Sequence, residues 1–216
     1  MKRLSPVYFI GGSACAGKTT AAQSLAERYD IPVYSCDEHF EAHRQRADPE
    51  RHPRFVRLME RPPEELWLGR PEALAAELVG FYEDEWGMVL EDLEDRSGPL
   101  LVEGAGVLPG LVHAAIGDCR RAVWLVSTPQ FRRRLYRGRG SWVGDFLGRY
   151  TDPEAAWENW MSRDDLHGRT VAGEAERLGG RVMDIDGRRS ASDVAEEIAA
   201  HFKLHLRLHV KEGRSE

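Results

Sequence analysis

Two glycines with four residues between them, Gly12 and Gly17, are followed at once by Lys18 and Thr19, which satisfies the pattern G-x-x-x-x-G-K-[ST]. The intervening Ser13, Ala14, Cys15 and Ala16 are all small. That composition suits a loop whose backbone N–H groups turn inward around polyphosphate oxygens, a path that bulky side chains would obstruct. Lys18 would bring a point charge to the outer phosphates, and the Thr19 hydroxyl would ligate Mg²⁺. A helix opening at Lys18-Thr19-Thr20 would add its positive N-terminal end. Glycine-rich turns also join strands to helices for steric reasons alone, but here strand, loop, Gly-Lys-Thr and helix fall in register. The stretch from Gly12 to Thr20 reads as a nucleotide-phosphate site.

Two acidic residues follow short apolar runs and are the candidates to work beside that loop. Asp37 comes after Val33-Tyr34-Ser35-Cys36, and Glu103 after Leu100-Leu101-Val102. Asp37 could accept a proton from an attacking hydroxyl or hold Mg²⁺ through water; an Asp there is also a favoured helix N-cap. Glu103 could order Mg²⁺ or its waters, or grip an acceptor hydroxyl, and Gly104 and Gly106 would let a substrate approach the backbone. The alternative for Glu103-Gly104 is a plain strand-end turn.

Arg132, Arg133, Arg134, Arg137 and Arg139 form the one dense basic run. Arginines on a flexible segment can neutralise the charge that spreads over transferred phosphoryl oxygens. Arg137 and Arg139, beside Gly138 and Gly140, are the candidates for that role, whereas Arg132 to Arg134 read as a solvated helix face. Arg163 could act as a second phosphate clamp, or simply pair with Asp164 or Glu158 at the surface. His201, His205 and His209 are four apart, but the last two fall in a tail of strict alternation, so they make a poor metal site.

The elements needed to position these groups follow from periodicity. Val7–Ile10, Pro32–Cys36, Leu100–Val102, Ala122–Val126 and Arg181–Ile185 read as five strands, separated by helical segments. Lys18–Tyr29 carries Ala21, Ala22, Leu25 and Ala26 at helical spacing, and Glu64–Glu94 carries a long apolar stripe divided near Gly69-Arg70-Pro71. Further helices are expected over 108–116, 131–137, 152–178 and after Ser190 or Ser192. The charged stretch 41–63 shows no clear period before Phe55. Strands alternating with helices give an α/β protein built on a mostly parallel five-stranded sheet, whose ligands collect at the carboxyl ends of the strands. The expected organisation is a single domain over 1–203, with a helical insertion at 41–98, a lid at 138–153 and a tail at 204–216. Leu204, Leu206, Leu208 and Val210 alternate with polar residues, which could add an edge strand, pair with another subunit or fray.

Composition excludes several classes. The chain has 216 residues, 42% of them hydrophobic and 31% charged, with net charge −6. That balance carries no general basic footprint for nucleic acid or an anionic membrane. Cys15, Cys36 and Cys119 form neither a disulfide framework nor a zinc pattern. No stretch approaches the roughly 20 apolar residues needed to span a bilayer. The expectation is a cytoplasmic protein, monomeric or homodimeric.

The phosphate loop, Asp37, Glu103 and the arginines together resemble the P-loop kinases of small molecules, the group that includes nucleoside, nucleoside-monophosphate, shikimate, gluconate and chloramphenicol kinases. Cys36-Asp37-Glu38-His39-Phe40 looks like the acidic-then-aromatic motif of uridine-kinase-like members, and Leu101-Val102-Glu103-Gly104 like their Glu-Gly. The stretch from Trp124-Leu-Val-Ser-Thr-Pro to Asn159-Trp-Met-Ser-Arg-Asp also looks like AAA-type ATPase or kinase-like bacterial proteins. The resemblance implies a three-layer P-loop NTPase fold with strand order 2-3-1-4-5, ATP and Mg²⁺ as cofactors, and Asp37 as base toward the acceptor hydroxyl. It departs from the family in the long helical insertion between Phe40 and Pro99. The resulting expectation is an ATP-dependent kinase of a nucleoside, metabolite or antibiotic. Lys18, Asp37, Arg137 and Arg139 are its catalytic candidates, and Thr19, Asp37 and Glu103 its metal candidates. His39, His43, Arg44, Arg57, Glu103, Gly104 and Arg163 would contact the acceptor. The rival is a nucleotide-hydrolysing switch; the chain lacks a guanine-specifying N-K-x-D and the length of an AAA+ motor, and its charge disfavours a nucleic-acid end kinase.

Overall fold

A computed structural model describes residues 6–94 and 96–205. The apolar run Val7–Gly12 forms β1, buried along its whole length. It sits at the centre of a five-stranded sheet with β2 (Val33–Ser35), β3 (Leu100–Glu103), β4 (Ala122–Ser127) and β5 (Arg181–Ile185). The order is β2-β3-β1-β4-β5 and every pairing is parallel, the order the resemblance implies. A sheet covered on both faces needs continuous apolar strands rather than alternating ones. Accordingly, side chains of β1 point both ways into core.

Tyr8 and Ile10 face α1 (Lys18–Tyr29) and α10 (Ala191–Phe202), packing with Ala21, Ala22, Leu25, Ile198 and Phe202. Val7 and Phe9 face the other layer, made by α5 (Pro71–Leu93), α6 (Pro109–Ile116) and α9 (Pro153–Arg177) through Trp86, Val89, Leu93, Val112 and Val171. The remaining helices are α2 (Cys36–Arg46), α3 (Pro53–Glu60), α4 (Pro63–Trp67), α7 (Pro129–Gly138) and α8 (Trp142–Leu147). Proline opens α3, α4, α5, α6, α7 and α9 within the first two positions, where its missing N–H costs no helical hydrogen bond. Ser190 caps α10 in a reciprocal box with Asp193.

Two departures from the sequence reading have physical causes. Residues 41–46 are helical, although they carry no apolar period. The side chains that α2 buries are Cys36 and His43, and His43, with no exposure, has its ring nitrogens on Tyr34 of β2 and on Glu85 and Asp92 of α5. The solvated face expected for Arg132 to Arg134 is also corrected in part: Arg132 is 1% exposed. Its guanidinium donates to the carbonyls of Asp164 at 3.1 Å and Ser127 at 3.3 Å and pairs with Asp165, bolting α7 to α9. At the C-terminal end, Leu204 is buried against the α1–α10 layer; the alternating tail from Leu206 onward, with His209, lies outside the described residues.

Candidate active site

Strand β1 ends where its backbone has no freedom. Gly12 has φ +122°, and a Cβ there would lie 1.9 Å from the Leu125 carbonyl oxygen. The loop then turns through Cys15 at φ 57° and Gly17 at φ 80° before α1 begins. Ser13 is fully buried and latches the loop to β4: its hydroxyl meets that of Ser127 at 3.1 Å and accepts the Ser127 N–H at 2.9 Å. The Ser127 hydroxyl in turn donates to the Ala14 carbonyl at 2.7 Å. Lys18 folds back and donates to the Ser13 carbonyl at 2.9 Å. Burial lowers the Lys18 pKa, opposed by the nearby carboxylates of Glu103 and Asp37.

Thr19, in the first turn of α1, donates to the Glu103 carboxylate at 3.2 Å. Glu103 is fully buried at the end of β3 and also accepts a 2.6 Å hydrogen bond from the Ser35 hydroxyl. Burial raises its pKa, while the Ser35 hydrogen bond and Lys18 hold it down. Hydroxyl and carboxylate oxygens in this arrangement suit a hard cation that takes its other ligands from phosphate and water. No cluster of three His, Cys, Asp or Glu side chains able to hold a metal by themselves exists among the described residues.

Ser35 occupies the N-cap position of α2 yet spends its hydroxyl on Glu103 rather than on a cap hydrogen bond. Asp37 is therefore not the cap; it is the second residue of the helix, exposed, and acts electrostatically on Lys18 and Glu103. Just beyond β3, Tyr82 and Glu85 of α5 lie against Gly106, where a Cβ would come 2.8 Å and 3.5 Å from them, and the charges of Arg163, Glu85, Asp37 and Asp164 act on the Tyr82 hydroxyl. Behind the phosphate loop lies a second space, a cavity of about 230 Å³ lined by Cys15, Gly17, Thr20, Leu135, Arg139 and Ile185, among others.

No protein-family model matches the chain, and no curated protein matches it by sequence. Solved structures do match. Shikimate kinase from Bacteroides thetaiotaomicron superposes with TM-score 0.53 at 16% identity, covering 92% of this chain and 98% of that one. Shikimate kinase from Acinetobacter baumannii, in complex with shikimate, gives TM-score 0.46 at 20% identity over 97% and 96% of the two chains. A gluconokinase from Sinorhizobium meliloti gives 0.43 at 12% identity over both chains entire. The fold is that of shikimate kinase. At these identities the likeness concerns architecture, and the chemistry rests on the chain's own residues.

Within this fold the sequence candidates divide. Gly12 to Thr20, Asp37 and Glu103 come together at the carboxyl ends of β1, β2 and β3. Arg139 lines the cavity behind the loop, with its guanidinium 5.4 Å from the Tyr136 ring. Arg137 lies elsewhere, stacked 5.7 Å over Trp157 in a separate cavity with Val143 and Leu147. Arg163 donates to Asp164 at 2.9 and 2.6 Å and sits 4.7 Å over the Trp67 ring, a pair that is mostly buried rather than superficial. His39 stacks on Tyr34 at 3.9 Å with its Nδ1 on the Ser35 carbonyl. His43 is enclosed between Glu85 and Asp92, and Arg44 is exposed and bound to Glu41. Arg57 is exposed on α3, in cavities that include none of the loop residues. Gly104 is buried under Cys36, 2.7 Å from where its Cβ would be, so packing alone accounts for the glycine.

The sequence reading missed Ser35 and Ser127, which orient the acid and the loop, and Tyr82, Glu85 and His167 across the crevice. It also missed Leu135, Ile185 and Gly187 around the rear cavity. The rule that ligands gather where strands end could have found Ile185 and Gly187, which close β5. Nothing in the local sequence marks Tyr82 or His167, which sit inside long helical stripes.

Proposed function

We propose that the protein is an ATP-dependent phosphotransferase that moves the γ-phosphoryl group to a hydroxyl of a small molecule. The observation that carries this reading is the shared edge: an exposed carboxylate, Asp37, standing in electrostatic range of Lys18 and of the Glu103 that Thr19 and Ser35 both grip. The loop amides and Lys18 hold the β- and γ-phosphates, and the nucleoside takes the cavity behind the loop beside Arg139. Mg²⁺, held by Thr19 and through water by Glu103 and Asp37, would supply charge neutralisation at the phosphate oxygens when bound.

Asp37 orients the acceptor and receives its hydroxyl proton as the oxygen forms its bond to the γ-phosphorus. The bond from that phosphorus to the bridging oxygen breaks and ADP leaves. Helices α2 to α5 and the first half of α9 wall the acceptor, and the segment 138–153 closes over the donor.

The test follows ATP consumption with and without a panel of hydroxyl compounds, identifying any phosphorylated product by mass spectrometry. Asp37→Asn is expected to cut transfer by about 10²–10⁴-fold, the range of a lost general base, with ATP affinity little changed. Full transfer by that variant would remove Asp37 from its role. Turnover that no acceptor alters, with phosphate released to water, would replace the phosphotransferase by a nucleotide-hydrolysing switch.

A further inference from the structure

One helix of the insertion packs away from its neighbours in sequence. Helices α3 and α5 share a core of their own, in which Phe55 stacks on Phe81 at 4.4 Å beside Met88. Trp67, the last residue of α4, instead joins a cluster with Val143 and Phe146 of α8, Trp157 and Trp160 of α9, and Tyr136 of α7. The phosphate loop enters the same cluster through Cys15, with Ala14 packed against it. The Trp67 ring lies edge-on to Phe146 at 5.3 Å and to Trp160 at 5.4 Å, and the Arg163 guanidinium sits 4.7 Å over it. Polar contacts run the same way. Glu64 accepts the Thr151 N–H at 2.9 Å and the Thr151 hydroxyl at 3.2 Å, and the Trp67 carbonyl accepts from the Asn159 side-chain amide at 3.2 Å.

By itself α4 has little to hold it. Five residues are too few for a stable helix, and none of them is fully buried. Pro62-Pro63 ahead of it and Gly69-Arg70-Pro71 behind it keep it separate from α3 and α5. Helix α8 is built alike, six residues of which Val143 is the buried one. Segments with so few buried contacts open locally with little loss of free energy, and lids are drawn from them. What orders both helices is each other, α9 and, through Tyr136 and Cys15, the phosphate loop. Charge follows the same route. Arg163, beneath Trp67, donates to Asp164 at 2.9 and 2.6 Å, and the Asp164 charge acts on Lys18 and Cys15.

We propose that α4 belongs to the cover of the nucleotide: α4 and the segment 138–153 close as one body when nucleotide enters, keyed by Trp67 and Glu64. Helix α5 stays with the sheet, on which it packs through Trp86, Val89 and Leu93, and α3 stays with α5. The inference rests on nucleotide binding at the phosphate loop, the donor half of the phosphotransferase reading. The insertion 41–98 is then divided in function, and filling the donor half reshapes one wall of the acceptor half. By linkage, an acceptor that touches α4 changes nucleotide affinity by the same factor.

The test is hydrogen exchange, read by mass spectrometry, on the full chain with and without MgAMP-PNP, a non-hydrolysable ATP analogue. Amides of the phosphate loop report binding, and those of α8, α4 and α3 report the cover. Exchange in α8 and at residues 64–68 should slow about fivefold or more at one and the same analogue concentration, while α3 stays within about twofold. Trp67→Leu should leave the loop and α8 responses in place and reduce that of residues 64–68 to the level of α3. Glu64→Gln, which loses one of the two accepted hydrogen bonds, should at least about halve it. That half-exposed substitution keeps the inference testable if Trp67→Leu does not fold. A protected loop with residues 64–68 unchanged overturns the inference and leaves the phosphotransferase standing, as does a full response of α4 in the folded variants. A loop that the analogue leaves unprotected overturns both.

Discussion

The two halves of the crevice are built by different means. On the donor side the backbone does the work: a left-handed Cys15, glycines that no other residue can replace, and serine hydroxyls that lash the loop to β4. On the side proposed for the acceptor three elements, β2, α2 and α5, contribute side chains from distant positions, held by a buried polar network. His43 bridges Glu85 at 2.9 Å and Asp92 at 3.2 Å; Tyr34 donates to Asp92 at 2.6 Å, and Arg46 pairs with Asp92 at 2.7 Å. On the proposed reading, the backbone-built site takes a moiety that never varies, the polyphosphate, and tolerates little change. A side-chain-built site can be retuned one residue at a time, which is where substrate choice belongs.

The severest break in that contrast is Gly12→Ala. The added methyl meets the Leu125 carbonyl oxygen, and φ +122° is closed to alanine. Left-handed strain and overpacking together should cost about 3 kcal/mol or more. Urea unfolding should show the loss, and ATP should no longer raise Tm. A variant still stabilised by ATP would mean that the loop does not depend on this backbone geometry.

The acceptor half should yield to pH instead. Burial alone would raise the Asp92 pKa, but hydrogen bonds from Arg46, Tyr34 and His43 outweigh it and hold the group at about 2. A depressed carboxylate contributes stability that is fully present above its unfolded value near ~4 and disappears as pH falls through about 2. Asp92→Asn should therefore lose about 2 kcal/mol at pH 7 by that linkage, with the gap to the parent closing between about pH 4 and pH 2. A gap that persisted at low pH would assign the loss to packing rather than charge.

The same contrast decided what could be read from the sequence. Lys18, Thr19, Asp37 and Glu103 were legible because each stands in a short motif next to an apolar strand, and the parallel topology brings strand ends to one edge. The sheet order came only with the family resemblance. The α2 segment was illegible because it buries His43 in a polar network, so the hydrophobic period that betrays a helix is missing. Tyr82 and His167 were hidden for the opposite reason: their helices are so plainly amphipathic that every buried position looks like core. Arg132 misled because arginines at a helix surface are normally solvated, and only the packing of α7 on α9 encloses it.

The arginines beyond β4 offer the finest test. By composition Arg137 and Arg139 are equivalent, both exposed and both beside a glycine. Geometry separates them. Arg139 acts on Cys15 of the phosphate loop and lines the cavity with Gly17 and Thr20. Arg137 covers Trp157 and lines the cavity of α8, which includes none of the phosphate-loop residues. Both are solvent-facing, so alanine at either position should leave stability within about 0.5 kcal/mol. Arg139→Ala should raise the KM for ATP about five- to tenfold, the order of one surface-accessible charge contact, while Arg137→Ala stays within about twofold at a site without that contact. Equal effects would mean that the segment 138–153 moves far enough during turnover to bring Arg137 to the nucleotide. The donor half would then share the side-chain character that distinguishes the acceptor half.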